Sequence, residues 1–226
     1  MPTILLIHSP LLTAATWDGL RPHLEAAGWQ VVAPDFRHLI ETRPFHAALS
    51  SAAAASVADT TPAAVVAHSR AGAYLPGIID AIAHPGVAAV FLDARLPYPG
   101  TSWIDSTPPD RATWLRKAAA HGRLPAWDRW FPAETFDHLR RDPTHRRALQ
   151  DLPELPWELV TETLPEPGPA WHSSRRVYIQ LSPAYRPTAD QAEKDGYEVH
   201  RASTDHLAMI TDPALVANLL RSALST

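Results

Sequence analysis

Six short runs rich in branched apolar residues, at 3–8, 30–34, 63–67, 87–93, 177–181 and 197–201, set the main constraint on this chain. Runs of this length and composition are consistent with strands buried on both faces. Between most of them lie segments of helical spacing: 17–27 ending at Gly28, 44–59, 70–83 before Pro85-Gly86, 187–194 before Gly196, and 213–224. Their glycine and proline stops are those of real helix ends. Strand followed by helix, repeated, predicts a parallel sheet, because each right-handed crossover lays its helix against the sheet. The expected fold class is α/β: a mostly parallel six-stranded sheet with helices on both faces.

One connection breaks the rhythm. About eighty residues separate Asp93 from Arg176, where connections in this architecture usually run to a few. Residues 94–175 therefore read as an insertion after the fourth strand, leaving 1–93 and 176–226 as the core. The insertion holds Trp103, Trp114, Trp127, Trp130, Trp157 and Trp171, with helix-like stretches at 109–121 and 132–150 broken by Pro125, Pro143, Pro153 and Pro156. It is expected to be a Trp- and Pro-rich helical lid. One or two of these tryptophans should line a cavity while the others hold the segment to the sheet.

Composition removes several classes of function. A hydrophobic content of 46% with 19% charged residues excludes a disordered chain. A net charge of −4 leaves no footprint for nucleic acid or an anionic membrane, so neither is expected as a partner. The basic run Arg140, Arg141, Arg146, Arg147 reads as a solvated helix face. No apolar run approaches the roughly 18 residues of a membrane span, and the first residues lack a basic leader region. A soluble protein is expected, with the cytoplasm as its compartment. The absence of cysteine excludes disulfides, thiolate nucleophiles and cysteine-ligated metals. The histidines show no His-Glu-x-x-His pattern or other convincing ligand spacing, so neither metal nor cofactor is implied.

The nucleophile is sought where strand 63–67 runs into His68-Ser69-Arg70-Ala71-Gly72 and an apolar helix. A sharp strand-to-helix turn holds a serine hydroxyl above the sheet edge and demands small residues two positions either side. Ala67 and Ala71 meet that demand. The turn also aims the Arg70 N–H at the place where a carbonyl oxygen would gain charge. The simpler alternative is that Ser69 only caps the helix. His206, between the last strand and the final helix, is positioned to act as general base toward Ser69; the alternative is a loop histidine held by local polar groups. His8 and His68 are expected to support the two neighbouring loops.

Ala67-His68-Ser69-Arg70-Ala71 resembles the G-x-S-x-G elbow of the α/β-hydrolase family, written here as small-x-Ser-x-small. Ile7-His8-Ser9-Pro10 followed by Trp17 looks like that family's oxyanion loop. Thr204-Asp205-His206-Leu207-Ala208-Met209 is similar to its catalytic-histidine segment, as in the esterase and hydroxynitrile-lyase branch. The resemblance spans the chain except the insertion, and implies strands three to eight of the family sheet without its two leading antiparallel strands. It implies Ser69, His206 and an acid as the catalytic set, with Ser9, Pro10, Leu11, Arg70 and Trp17 around the oxyanion and substrate. Asp35 resembles the family's structural aspartate.

Two departures stand out. The branch's orienting acid aligns with Ala184; the resemblance implies Asp93 instead, closing the fourth strand at the alternative acid position of some family members, with Asp190 in reserve and Asp205 pointing away. Asp93 could instead cap the first turn of the insertion or pair with Arg95. The residue that normally gives its N–H to the oxyanion aligns with Pro10, which has none, leaving the Leu11 N–H or the Ser9 hydroxyl to substitute. The Arg70 side chain is expected in solvent or in a salt bridge to the insertion, ahead of a role in binding a substrate carboxylate. The leading expectation is a serine hydrolase for a small apolar ester, lactone or thioester, with an apolar or aromatic body. A lyase or cyclase using His206 for proton transfer is the first alternative, and a noncatalytic binding protein the second.

Overall fold

The computed structural model describes residues 1–225, the side chain of Ala120 excepted. Its principal sheet is parallel throughout: β1 (Thr3–Ile7), β2 (Gln30–Val32), β3 (Pro62–His68), β4 (Ala88–Leu92), β5 (Arg176–Gln180) and β6 (Glu198–Arg201), in the spatial order β2-β1-β3-β4-β5-β6. The helices that matter for the site are α1 (Leu20–Ala26), α2 (Phe45–Ala55), α3 (Leu75–Ile82), α4 (Pro109–Ala118), α5 (Arg186–Lys194) and α6 (Pro213–Leu224).

Side chains of successive strand residues point to opposite faces, and here both faces are buried. Leu5, Ile7, Val65, Ala67 and Phe91 join one core with Phe45 and Leu49 of α2, Ile78 and Ile79 of α3, and Ala189 and Ala192 of α5. Ile4, Leu6, Val66, Val90 and Leu92 join a second core with Leu20 and Leu24 of α1 and Val216 and Leu220 of α6. Gly28 (φ +89°) and Gly196 (φ +80°) close α1 and α5 in the left-handed conformation that glycine adopts without steric cost. No helix among the described residues is long and apolar enough to cross a membrane.

Residues 94–175 carry α4, an antiparallel pair of Arg123–Leu124 with Leu155–Pro156, and several short helical turns. The stretch 132–150, read as helix-like and punctuated by Pro143, is divided into Ala133–Phe136, Asp137–Arg141, Pro143–Arg146 and Arg147–Leu149. Pro143 accounts for the central break, since the residue before a proline avoids helical backbone and Asp142 sits at φ −84°, ψ 119°. Two carboxylates fasten this segment to the core. Glu162 accepts the N–H groups of Phe45 and His46 (2.7 and 2.8 Å) at the N-terminus of α2, and Asp80 of α3 accepts those of Gly168 and Trp171 (2.6 and 3.0 Å).

The segment expected as a single helix from Arg70 also divides, into a 3₁₀ turn over Ser69–Tyr74 followed by α3. This tight turn is wedged against the exit of β4. A Cβ on Gly72 would overlap the Arg95 carbonyl oxygen and lie 2.8 Å from the Ala94 Cβ. Gly72→Ala is therefore expected to destabilise the protein by about 1–3 kcal/mol, the usual cost of overpacking a close contact. That corresponds to a fall in Tm of roughly 2–12 °C for a chain of this size. Calorimetry of the variant checks this, and an unchanged Tm would contradict the wedge.

Candidate active site

The site lies at the C-terminal ends of β3 and β4, beside the loop after β6. Ser69 follows β3 with φ +56°, and Asp93 follows β4 with φ +45°. Neither residue is a glycine, so both carry backbone strain of order 1–3 kcal/mol that the surrounding structure must hold in place. Three contacts do so: Arg95 N–H donates to the Ser69 carbonyl (2.9 Å), Asp93 N–H to the Ile179 carbonyl (2.8 Å), and the Tyr178 hydroxyl to the Ala94 carbonyl (2.8 Å). The strands after which the two residues stand are thereby locked to each other and to β5.

His206 bridges the pair. Its Nδ1 lies 2.7 Å from Asp93 Oδ2 and its Nε2 lies 3.0 Å from Ser69 Oγ. With Asp93 ionised, Nδ1 carries the ring proton and Nε2 is left to accept from the serine hydroxyl. The Asp93 side chain is fully buried, and it also accepts from the N–H groups of Leu181 and Ser182 (2.8 and 3.0 Å) and from the Ser182 hydroxyl (2.6 Å). Burial alone would raise its pKa. The hydrogen bonds and charge of His206 and the donors of Ser182 outweigh that and hold the carboxyl below its ordinary range.

The remaining acids are occupied elsewhere. Asp190 pairs with Arg201 at 2.9 Å, so it is not the partner of His206. Asp205 turns to the Leu207 N–H and the Thr211 hydroxyl, both at 2.7 Å. Asp35 is held by Arg37.

Sequence reasoning missed two supports of the His206–Asp93 pair: Ser182 fixes Asp93, and the Tyr185 ring stacks on the imidazole (4.9 Å, 6° between planes). His68, expected to support a neighbouring loop, donates from Nε2 to the His206 carbonyl at 2.9 Å. His8 accepts the Phe36 N–H on Nε2 (2.9 Å) and contacts the Ser9 carbonyl through Nδ1 (2.8 Å), which pins the loop after β1. Burial lowers the pKa of His8 and, more strongly, of His68, where the neighbouring His206 adds to the effect. Both rings are held neutral.

The oxyanion assignments divide. Leu11 reaches the wall of a cavity of about 610 Å³ that opens above Ser69 and His206. Ser9 lies behind that wall, where its hydroxyl accepts the Leu11 N–H at a long 3.3 Å; Pro10 is buried in the same loop. Trp17, expected near substrate, is instead 1% exposed and packs edge-on against His68 (6.2 Å), with its indole N–H unpartnered. The Arg70 N–H stands at the start of the 3₁₀ turn, where a helical turn leaves its first donors free.

Aromatic rings form a substantial part of the cavity wall. Trp103, Trp127 and Trp130 line it, three rather than the expected one or two, while Trp171 packs on Phe91 in the core. Among the described residues the Arg70 side chain joins no salt bridge, and it does not extend into solvent. It is 8% exposed and lies flat over Trp103, 3.9 Å from the ring centre. Among the described residues no group of three His, Cys, Asp or Glu side chains could hold a metal ion.

The alpha/beta hydrolase family model matches residues 4–219. The chain belongs to the α/β-hydrolase family. No curated protein sequence matches it significantly. Among solved structures it is similar to an extracellular α/β-hydrolase from a Paenibacillus species, described as sharing structural and functional homology with tobacco salicylic acid binding protein 2 (21% identity, TM-score 0.76, 99% of each chain). It is also similar to a pyrethroid hydrolase from Sphingobium faniae JZ-2 (21% identity, TM-score 0.67, 100% and 98% of the two chains). A third relative is tomato methylketone synthase I complexed with 2-tridecanone (17% identity, TM-score 0.70, 99% and 98%). At these identities the likeness is one of fold.

The pH dependence of stability follows from this α/β-hydrolase site. A histidine whose folded pKa is lowered binds its proton more readily when unfolded, so stability falls as pH drops below the ordinary histidine value of 6.5. The loss for His8 and His68 is at most about 1.4 kcal/mol per pH unit each. A further loss follows below the ordinary carboxylate value of 3.8, as Asp93 is protonated through its lowered pKa. Urea unfolding at pH 7.5 and 5.5 should show the first loss, and His68→Gln should shrink it. Equal stability at the two pH values would contradict the neutral, buried state of these rings.

Proposed function

We propose that this α/β-hydrolase is a serine esterase-type hydrolase acting on a small ester, lactone or thioester with an apolar or ring-bearing body. One observation carries the reading: the unbroken hydrogen-bonded relay from the Ser69 hydroxyl through His206 to the buried Asp93 carboxylate. Ser69 Oγ attacks the carbonyl carbon while its proton passes to His206 Nε2, and Asp93 steadies the imidazolium so formed. The carbonyl oxygen, now negative, is met by the N–H groups of Arg70 and Leu11. Collapse of this intermediate expels the alcohol or thiol, which takes the proton from His206 and leaves the acyl group on Ser69. Water then attacks with His206 again as base, releasing the acid and restoring the serine.

Residues 94–175 act in this reading as a lid whose tryptophans seat the substrate's apolar body and exclude water. The pyrethroid hydrolase and polyneuridine aldehyde esterase among the structural relatives are compatible with ester substrates. A second reading, proton transfer by His206 without an acyl-enzyme, draws on the oxyanion loop. Pro10 offers no N–H, and Leu11 shares its own with the Ser9 hydroxyl. Losing one oxyanion donor costs about 2.7–4 kcal/mol of transition-state stabilisation.

A fluorophosphonate probe separates the two. Mass spectrometry should find a single adduct on the Ser69 peptide, absent in Ser69→Ala. Turnover of 4-nitrophenyl acetate should fall about 10⁴-fold or more in Ser69→Ala and His206→Ala, and by about the same in Asp93→Asn, which leaves the imidazole in the wrong tautomer. A folded protein that stays unlabelled, yet loses its turnover in His206→Ala, would favour the second reading.

A further inference from the structure

The cavity above Ser69 contains more positive charge than its acids neutralise. Arg70, Arg95 and Arg111 all line it. Among the described residues, none of the three lies within salt-bridge distance of a carboxylate, although most other arginines of the chain that form ion pairs do so at the surface. Glu162, whose charge acts on Tyr98 beside Arg70, is engaged by His46 (2.7 Å) and by two backbone N–H groups. Asp205, which also borders the cavity, is turned to Leu207 and Thr211.

The arginines rest instead on aromatic faces. Arg70 lies over Trp103 at 3.9 Å, Arg111 over Trp114 at 4.1 Å and Trp130 at 5.3 Å, and Arg95 stands 5.8 Å from the Tyr185 ring that covers His206. Of the three, only Arg70 is withdrawn from water, where a ring contact offsets part of the lost hydration; Arg95 and Arg111 are exposed at the mouth. A guanidinium stacked flat keeps its edge open to in-plane partners; at Arg70 the Tyr98 side chain accepts one such hydrogen bond, and the fork left over has the shape that grips a carboxylate. Burial lowers the pKa of Arg70 and of Arg111; Tyr98, Tyr185 and Tyr74 pull Arg70 back up while Arg95 pushes it down, and Arg95 and Arg70 push Arg111 down further. Arg70 and Arg95 additionally border a second hollow of about 320 Å³.

We propose that the substrate carries a carboxylate apart from the bond that is cleaved, seated on the Arg70, Arg95 and Arg111 guanidinium groups while its ring-bearing body lies against the cavity tryptophans. The proposal deepens the esterase reading and rests on it for the word substrate; the anion site itself does not. Arg95 and Arg111 are placed as specificity-determining residues, and Arg70 contributes its side chain to the anion and its N–H to the oxyanion.

The probes are 4-acetoxybenzoate and its neutral carboxamide, 4-acetoxybenzamide, which share ring and scissile ester. The expected kcat/KM ratio favours the anion by about tenfold to a hundredfold, the range of a charge-assisted hydrogen-bonded contact. The ratio should fall toward one in Arg111→Gln and in Arg95→Gln, and should shrink as salt is raised in the unaltered protein. Binding of the same two esters to Ser69→Ala, followed by tryptophan fluorescence, should show the same preference. Equal or weaker handling of the anion in both assays, with both esters hydrolysed, would overturn the anion site and leave the esterase standing. Preferential binding of the anion to Ser69→Ala, with neither ester turned over by the unaltered enzyme, would support the anion site and overturn the hydrolytic reading.

Discussion

A single buried carboxylate holds this site together. Asp93 has no access to water, so its charge is tolerable only because the Leu181 and Ser182 N–H groups, the Ser182 hydroxyl and the His206 ring all donate to it. Those donors come from the exit of β5 and from the loop after β6. Neutralising Asp93 in the fold therefore brings three separate chain segments together, and it simultaneously sets the tautomer of the imidazole that faces Ser69. Stability and chemistry depend on the same contacts.

Strain and packing supply the other half of the arrangement. Ser69 and Asp93 both take left-handed backbone, and each is held by hydrogen bonds between the ends of adjacent strands. Gly72 lets the turn after Ser69 press against Ala94 and Arg95, so Ser69 and Asp93 cannot drift independently. His68, neutral and buried, carries the restraint to the backbone of His206. The reactive groups sit on strand ends, while the aromatic and cationic walls come largely from residues 94–175, a division between rigid chemistry and adjustable recognition.

The fold was legible because its signal is local. Apolar runs such as 63–67 and 87–93, each followed by a helical segment or a break, fix strand identity and parallel order without long-range information. Ser69, Asp93 and His206 were legible because each stands at a strand exit in a short motif, and the rejection of Asp190 needed only its ion pair with Arg201. Contacts made across space were not legible. Nothing in Ser182-Pro183-Ala184-Tyr185 announces that Ser182 binds Asp93 or that Tyr185 stacks on His206. Trp17 followed the spacing of an oxyanion loop yet packs into the core, and Arg70 was expected in solvent because a single cation gives no sign of the tryptophan beneath it. The helix-like stretch 132–150 breaks at Pro143, which the sequence already marked, and divides again after Phe136 and before Arg147, where no proline announces it.

The central claim is that the Ser69 oxygen becomes covalently acylated through the relay to Asp93. Rapid-quench mass spectrometry during turnover of 4-nitrophenyl acetate tests it most directly. The account predicts a transient gain of one acetyl group confined to the peptide containing Ser69, formed in the burst phase and absent in His206→Ala. Steady turnover with no acetylated enzyme at any time, in a protein from which trapping of slower acyl groups also fails, or an acetyl group on another residue, would contradict it.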